Sequence, residues 1–283
     1  MKKIFAAIIT VSLLLGGCAA NTGRRTDENR REEDTSPNTT NVADTTIEPT
    51  EVALEFSNYD STSIVWGPGH IMDHARPVDP TKLQEQFAEL GGKWLMADDK
   101  HVCLTFDEGY ENGYSAQILD TLKEKNVKAI FFCTYDYVRD NPELVERMIS
   151  EGHIVGNHSY RHYNFTNIDI ATAEEEITFL HDYVKDKFGY EMKYFRFPEG
   201  AFSQQTLALA NSLGYETLFW SFAYADWDTS SPPDPTKAFD LITSSTHNGA
   251  IILLHAVSST NADILGGVID NVREQGYTFT TDL

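Results

Sequence analysis

Val102-Cys103-Leu104-Thr105-Phe106-Asp107-Glu108-Gly109 opens the part of the chain whose pattern decides the fold. A short β-favouring run ends abruptly in two carboxylates and a glycine. Runs of this kind, apolar on both faces, are strands buried on both sides in a parallel sheet. Further runs follow at residues 128–134, 153–157, 194–197, 217–222, 250–254 and 277–280. Helical patterns separate them at 113–125, 142–151, 171–187, 203–213, 235–245 and 262–275. Asn141-Pro142 marks a helix start, and Gly152, Gly189, Gly214 and Gly276 mark helix ends. Strand and helix in strict alternation predict an α/β fold. Seven strands predict an incomplete seven-stranded (β/α) barrel. A short irregular extension, residues 53–99, precedes it and carries a helix at 80–90.

The polar residues fall at strand ends. The first run ends in Asp107-Glu108, the third in Asn157-His158 with His162 following, and the fourth in Arg196-Phe197-Pro198-Glu199. The fifth leads to Asp226-Trp227 and the sixth ends Leu253-Leu254-His255. The C-terminal mouth of a β/α barrel carries the chemistry, so these side chains are expected on one rim. His158 and His162 stand four apart, which on a helix or helical turn puts both imidazoles on one face, as in a metal clip. A structural pair is the alternative for that spacing alone. Adjacent carboxylates such as Asp107 and Glu108 can divide into a base and a ligand, or form a solvated acidic turn. His153 and His181 read as structural and His101 as a surface residue.

The chain has 283 residues, 43 acidic against 22 basic, for a formal net charge of -21. Such a surface repels phosphate backbones, so nucleic acid is excluded as a partner. Three cysteines are too few for a disulfide scaffold. Cys103 and Cys133, each in an apolar run, read as buried free thiols. Lys2 and Lys3, an apolar run over 4–15 and Leu15-Gly16-Gly17-Cys18 form a secretory leader. Its last residues resemble a bacterial lipobox, which implies cleavage before Cys18 and lipidation of it. Residues 19–52 are poor in apolar residues and read as a disordered tether. The expectation is an exported protein, lipid-anchored to the outer face of a bacterial membrane and facing the wall, with a catalytic domain at 100–283.

Thr105-Phe106-Asp107-x-Gly109, His158-x-x-x-His162, Arg196-x-Pro198, Asp226-Trp227 and Leu253-Leu254-His255 together resemble the ordered motifs of the NodB-homology polysaccharide deacetylases, carbohydrate esterase family four. The stretch 105–114, with its Tyr110-Glu111-Asn112, and the stretch 253–258 are most similar to the delta-lactam-biosynthetic de-N-acetylases within it. The resemblance implies a fold of that type and hydrolysis of the N-acetyl group of muramic acid on peptidoglycan strands. It implies Asp107 as general base, oriented by Arg196, and His255 as general acid, tuned by Asp226. His158 and His162 would bind one divalent metal, Zn²⁺ first, with Co²⁺ or Mn²⁺ as alternatives. Trp227 and Leu253 would line the pocket for the acetyl methyl, with Tyr110, Asn112 and Pro198 also on the substrate side. Most of the family has aspartate where this chain has Glu108. The longer side chain is expected to ligate the metal through water.

Two other readings stand beside this one: a deacetylase of N-acetylglucosamine or another polysaccharide, and a wall-binding lipoprotein with a degenerate site. The full set of polar residues speaks against the last. A monomer is expected.

Overall fold

The computed structural model describes residues 51–69 and 73–283. The leader with Cys18 and nearly all of the tether lie outside the described residues. Nine helices are seen among those described: α1 (Glu51–Glu55), α2 (Val78–Phe87), α3 (Ser115–Glu124), α4 (Tyr135–Asp140), α5 (Pro142–Ser150), α6 (Ile170–Phe188), α7 (Gln204–Ser212), α8 (Pro235–Ser245) and α9 (Ser259–Glu274). The strands are β1 (Ile64–Val65), β2 (Gly92–Lys93), β3 (His101–Glu108), β4 (Ile130–Cys133), β5 (Ile154–Asn157), β6 (Tyr194–Phe195), β7 (Ala201–Phe202), β8 (Glu216–Leu218), β9 (Ala250–His255) and β10 (Thr278–Phe279).

The main sheet runs β10-β3-β4-β5-β6-β8-β2, with β9 also paired to β3. All its pairings are parallel. β9 lies against β3 from Val102↔Ala250 to Asp107↔His255. Its other side meets the segment after β8, through the bridge Phe222↔Ile252 and the bond from Leu253 N to Phe222 O at 2.9 Å. The sheet therefore curls into an incomplete β/α barrel. The seven strands expected from the sequence are all present. Gly92–Lys93 adds an eighth that has no apolar run to announce it.

Local chemistry sets the helix bounds. Asp169 caps α6 by accepting from Thr172 N, and Gly189 ends it with φ 63°. Ser203 and Thr206 form a reciprocal capping box on α7. Asp234 caps α8 ahead of Pro235. The interior is closed by aromatic stacking: Trp94 on Phe219 at 4.2 Å and Phe106 on Phe131 at 5.1 Å between centroids. Cys103 and Cys133 are buried free thiols, as expected.

Residues before 100 are bound into this body. β2 pairs with β8, and Trp94 is fully buried. β1 pairs antiparallel with β7, Ile64 opposite Phe202. Arg76 donates to the carbonyls of Asn248 and Met96, at 2.7 and 2.9 Å. Gly249 sits at the centre of this joint with φ 68°. A Cβ there would lie 2.3 Å from Ala97 O and 2.7 Å from Met96 O. Gly249→Ala is expected to destabilise the protein by about 3 kcal/mol, combining left-handed strain with a backbone clash. Chemical denaturation of variant and wild type measures it; a loss under about 0.5 kcal/mol, the size of an ordinary surface substitution, would refute it.

Candidate active site

Because side chains alternate along a strand, Asp107 and Glu108 leave β3 on opposite faces. Asp107 turns to the barrel mouth. Its Oδ1 accepts from Arg196 Nη1 at 2.8 Å. Arg196 has no exposed surface and spends its other donors on Thr105 Oγ1, Leu218 O and Phe219 O, at 2.8, 2.8 and 3.1 Å. Burial alone would raise the Asp107 pKa; Arg196, His158 and His255 outweigh it and hold the carboxyl below its ordinary range.

His158 follows β5. Its Nδ1 lies 2.9 Å from Arg196 O. A carbonyl can only accept, so Nδ1 carries the proton and Nε2 keeps its lone pair. That Nε2 lies 3.5 Å from Asp107 Oδ2. Burial, with His162 and Arg196 adding to it, lowers the His158 pKa to about 4, so the ring is neutral. The His162 ring stands 4.9 Å away, edge to face. The two rings meet without a helix: the segment is a turn with Ser159 and His162 at φ 71° and 56°. A neutral imidazole oriented by a backbone acceptor, its lone pair facing a carboxylate oxygen with no proton between them, is an arrangement a cation completes. His158 and His162 thus fit a divalent metal. Among the described residues no group of three His, Cys, Asp or Glu side chains converges on one such point. Two protein ligands leave positions open for water and substrate, as a catalytic rather than a structural site requires.

His255 ends β9. Its Nδ1 donates to Asp226 Oδ1 at 2.7 Å, and its backbone N donates to Asp226 Oδ2 at 2.8 Å. Burial opposes charge on the ring, but Asp226 and then Asp107 outweigh it and raise the pKa above the ordinary 6.5. Asn261, on α9, donates to Asp226 Oδ2 at 2.6 Å and to His255 O at 3.0 Å. Tyr224 OH donates to Asn261 Oδ1. Neither residue could be found by looking at strand ends, since one sits in a helix and the other in a loop.

A cleft of about 830 Å³ joins these groups. Asp107, His158, His162 and His255 line it, with Tyr110, Trp227 and Leu253 as expected. Trp66, Trp220 and Glu199 line it as well. Arg196 and Asp226 stand behind the lining and hold Asp107 and His255.

Three expectations need correction. Glu108 faces away from the histidines, into a buried space with Ser115, Tyr137 and Cys133. Burial first, then Glu111 and Asp107, push its pKa well up, with Ser115 opposing the shift. Strand alternation, not side-chain length, turns it away from Asp107 and the barrel mouth. Asn112 does not line the cleft; its amide donates to Val257 O at 2.9 Å and ties the loop after β3 to the loop after β9. Pro198 is buried beneath the rim, where it starts the turn that carries Glu199.

A sequence profile described as polysaccharide deacetylase matches residues 96–218. A 30.6 kDa protein of Geobacillus stearothermophilus is 42% identical, over 81% of this chain and 89% of its own. The peptidoglycan-N-acetylmuramic acid deacetylase PdaA of Bacillus subtilis is 38% identical, over 76% of this chain and 83% of its own. The structure of PdaA, a family 4 carbohydrate esterase, superposes with a TM-score of 0.75, covering 78% of this chain and 95% of that one. The peptidoglycan-N-acetylglucosamine deacetylase PgdA of Listeria monocytogenes is 34% identical, over 65% of this chain and 38% of its own. The chain belongs to the polysaccharide deacetylase family, carbohydrate esterase family 4, whose members are hydrolases of non-peptide carbon–nitrogen bonds.

Proposed function

We propose that this protein hydrolyses the N-acetyl group of muramic acid in peptidoglycan, releasing acetate as a step towards muramic δ-lactam. One observation carries the reading. An ionised carboxylate held by a buried arginine and a histidine whose charged form a second carboxylate favours face one cleft, beside two imidazoles. The identity to PdaA supports muramic acid as the sugar.

Asp107 accepts a proton from the attacking water as the new C–O bond forms at the acetyl carbonyl. Arg196 keeps it ionised for that task. His255 then delivers the proton on Nε2 to the amide nitrogen as the C–N bond breaks, so the amine leaves neutral. Asp226 fixes the tautomer by holding Nδ1–H. Trp227 and Leu253 wall the cleft around the acetyl methyl. Held by His158 and His162, a divalent cation would supply the Lewis acidity that activates water and polarises the carbonyl. Zn²⁺, Co²⁺ and Mn²⁺ all suit imidazole. A lipid on Cys18 and the tether would keep the enzyme on the outer membrane face, within reach of the wall.

A second reading, N-acetylglucosamine as substrate, has one observation in its favour. Arg161, the arginine of the lining, is engaged by Glu175 and Glu176 at 2.8 and 3.1 Å, so it is not free for a lactyl carboxylate.

Mass spectrometry of amidase-stripped peptidoglycan incubated with the full-length protein, with and without chelator, separates the readings. Chelator-sensitive loss of acetyl from muramic acid is expected. Loss from glucosamine alone would favour the second reading, and no loss at either sugar would sink both.

The raised pKa of His255 sets the alkaline limb of the pH–rate profile. The acid must be protonated, so activity is expected to persist above pH 6.5 and to fall as pH rises through the raised value. Asp226→Asn should move that limb to lower pH; an unmoved limb would remove His255 from the acid role.

Glu108 titrates in the same direction, with stability as the readout. Its folded pKa is raised, so ionisation costs stability once pH exceeds the unfolded value. Glu108→Gln is therefore expected to raise Tm at pH 7 and leave Zn²⁺ affinity within about twofold, a change of only about 0.4 kcal/mol. A tenfold loss of metal affinity would return Glu108 to the metal site.

A further inference from the structure

Glu199 has no part in the chemistry above, yet the fold goes to some length to place it. It is a non-glycine residue at φ 58°, ψ 6°, a conformation that favours glycine. It follows Pro198, which fixes the turn, and precedes Gly200 at φ 64°. Gly200 is pressed by the extension: a Cβ there would lie 2.8 Å from Trp66 O and 2.9 Å from the Trp220 ring. Trp66 N donates to Gly200 O at 2.9 Å, and Trp66 Nε1 donates to Trp220 O at 2.9 Å. The pairing of β1 with β7, Val65 opposite Ala201, continues the same strap along the chain after the turn. The carboxylate that results is exposed and lies in the lining of the cleft, with Asp107, His158 and His162. Asn164 Nδ2 donates to its Oε2 at 2.8 Å and fixes the rotamer. No Lys, Arg or His pairs with it among the described residues, so the carboxylate in this lining keeps acceptor capacity to spare.

We propose that Glu199 is a specificity-determining residue that accepts hydrogen bonds from pyranose hydroxyls of the glycan strand next to the N-acetyl sugar under attack. The inference rests on the deacetylase reading above. Three features select this ligand. Clefts of about 300–1,000 Å³ take ligands far larger than an acetamide group, so at 830 Å³ this one has space for sugar beyond the reacting atoms. A fixed carboxylate offering only acceptors suits a polyol, which offers donors. Backbone strain in a binding rim, held by a dedicated strap, is the signature of a residue kept for its contacts and not for its fold.

Glu199→Gly tests this, because glycine relieves the strain and deletes the carboxylate together. With an amidase-stripped glycan tetramer as substrate, the expected result is a KM raised about tenfold with kcat within about twofold, the size of a lost hydrogen bond to a charged group. Tm should stay level or rise by about 2–4 °C as strain is released. Glu199→Gln, which keeps one acceptor oxygen, should show a smaller rise in KM. An unchanged KM in Glu199→Gly, a kcat loss without a KM change, or a fall in Tm would each overturn the proposal. Absence of acetate release by the wild type would refute the deacetylase reading instead, before any variant is compared.

Discussion

The buried pair of Arg196 and Asp107 is the interaction on which the rest of the site depends. A guanidinium removed from water is costly unless each donor is met and its charge is balanced. Here the donors are met by β3 through Thr105 and Asp107, by β8 through Leu218, and by Phe219 just after it. The ring of Phe132 on β4 covers the guanidinium at 4.1 Å. One side chain thus cross-links strands from both halves of the sheet. Its own carbonyl also orients His158. Asp107 and one of the two imidazoles are therefore fixed by the same residue, so neither can shift without disturbing the other.

A second consequence follows from putting two carboxylates in sequence at one strand end. Asp107 meets a cation and stays ionised; Glu108, one residue on, meets hydroxyls and other acids and is driven towards its neutral form. The barrel separates them by direction alone. This is economical for catalysis, because a second ionised carboxylate on the mouth side would repel the first and raise its pKa.

Most of this was legible in the sequence because barrel logic ties position in the chain to position in space. The polar residues at the ends of β3, β5 and β9 did converge, along with those after β8. What escaped had no such tie. Gly92–Lys93 carries no strand pattern and joins the sheet only because Trp94 is buried beside it. α4 is a short helix whose Thr134 cap looks like the end of a strand. Asn261 buttresses Asp226 from a helix, where spacing in the sequence says nothing about reach. The histidine pair was expected on one helical face and is instead joined by a left-handed turn, since four-residue spacing is met by both. Asn112 is expected on the substrate side because the stretch Tyr110-Glu111-Asn112 resembles that of the delta-lactam-biosynthetic de-N-acetylases. Only the structure shows its amide spent on a loop carbonyl.

The division of labour between motif and surround bears on how one chemistry serves several sugars. The profile match begins at residue 96, yet Trp66 lines the cleft and its backbone presses the turn that bears Glu199. Asp107, His255 and the imidazole pair all come from the ends of barrel strands or the loops that follow them. Part of the wall, Trp66, Gly67 and Pro68, comes from the extension, tied to the barrel by the two-residue pairing of β1 with β7 and by the joint at Gly249. Neither the Arg196–Asp107 pair nor the His255–Asp226 pair takes a side chain from the extension. Glu199, which directly follows the Arg196-x-Pro198 motif and whose turn is pressed by the extension at Gly200, is where selection between glycans would be felt.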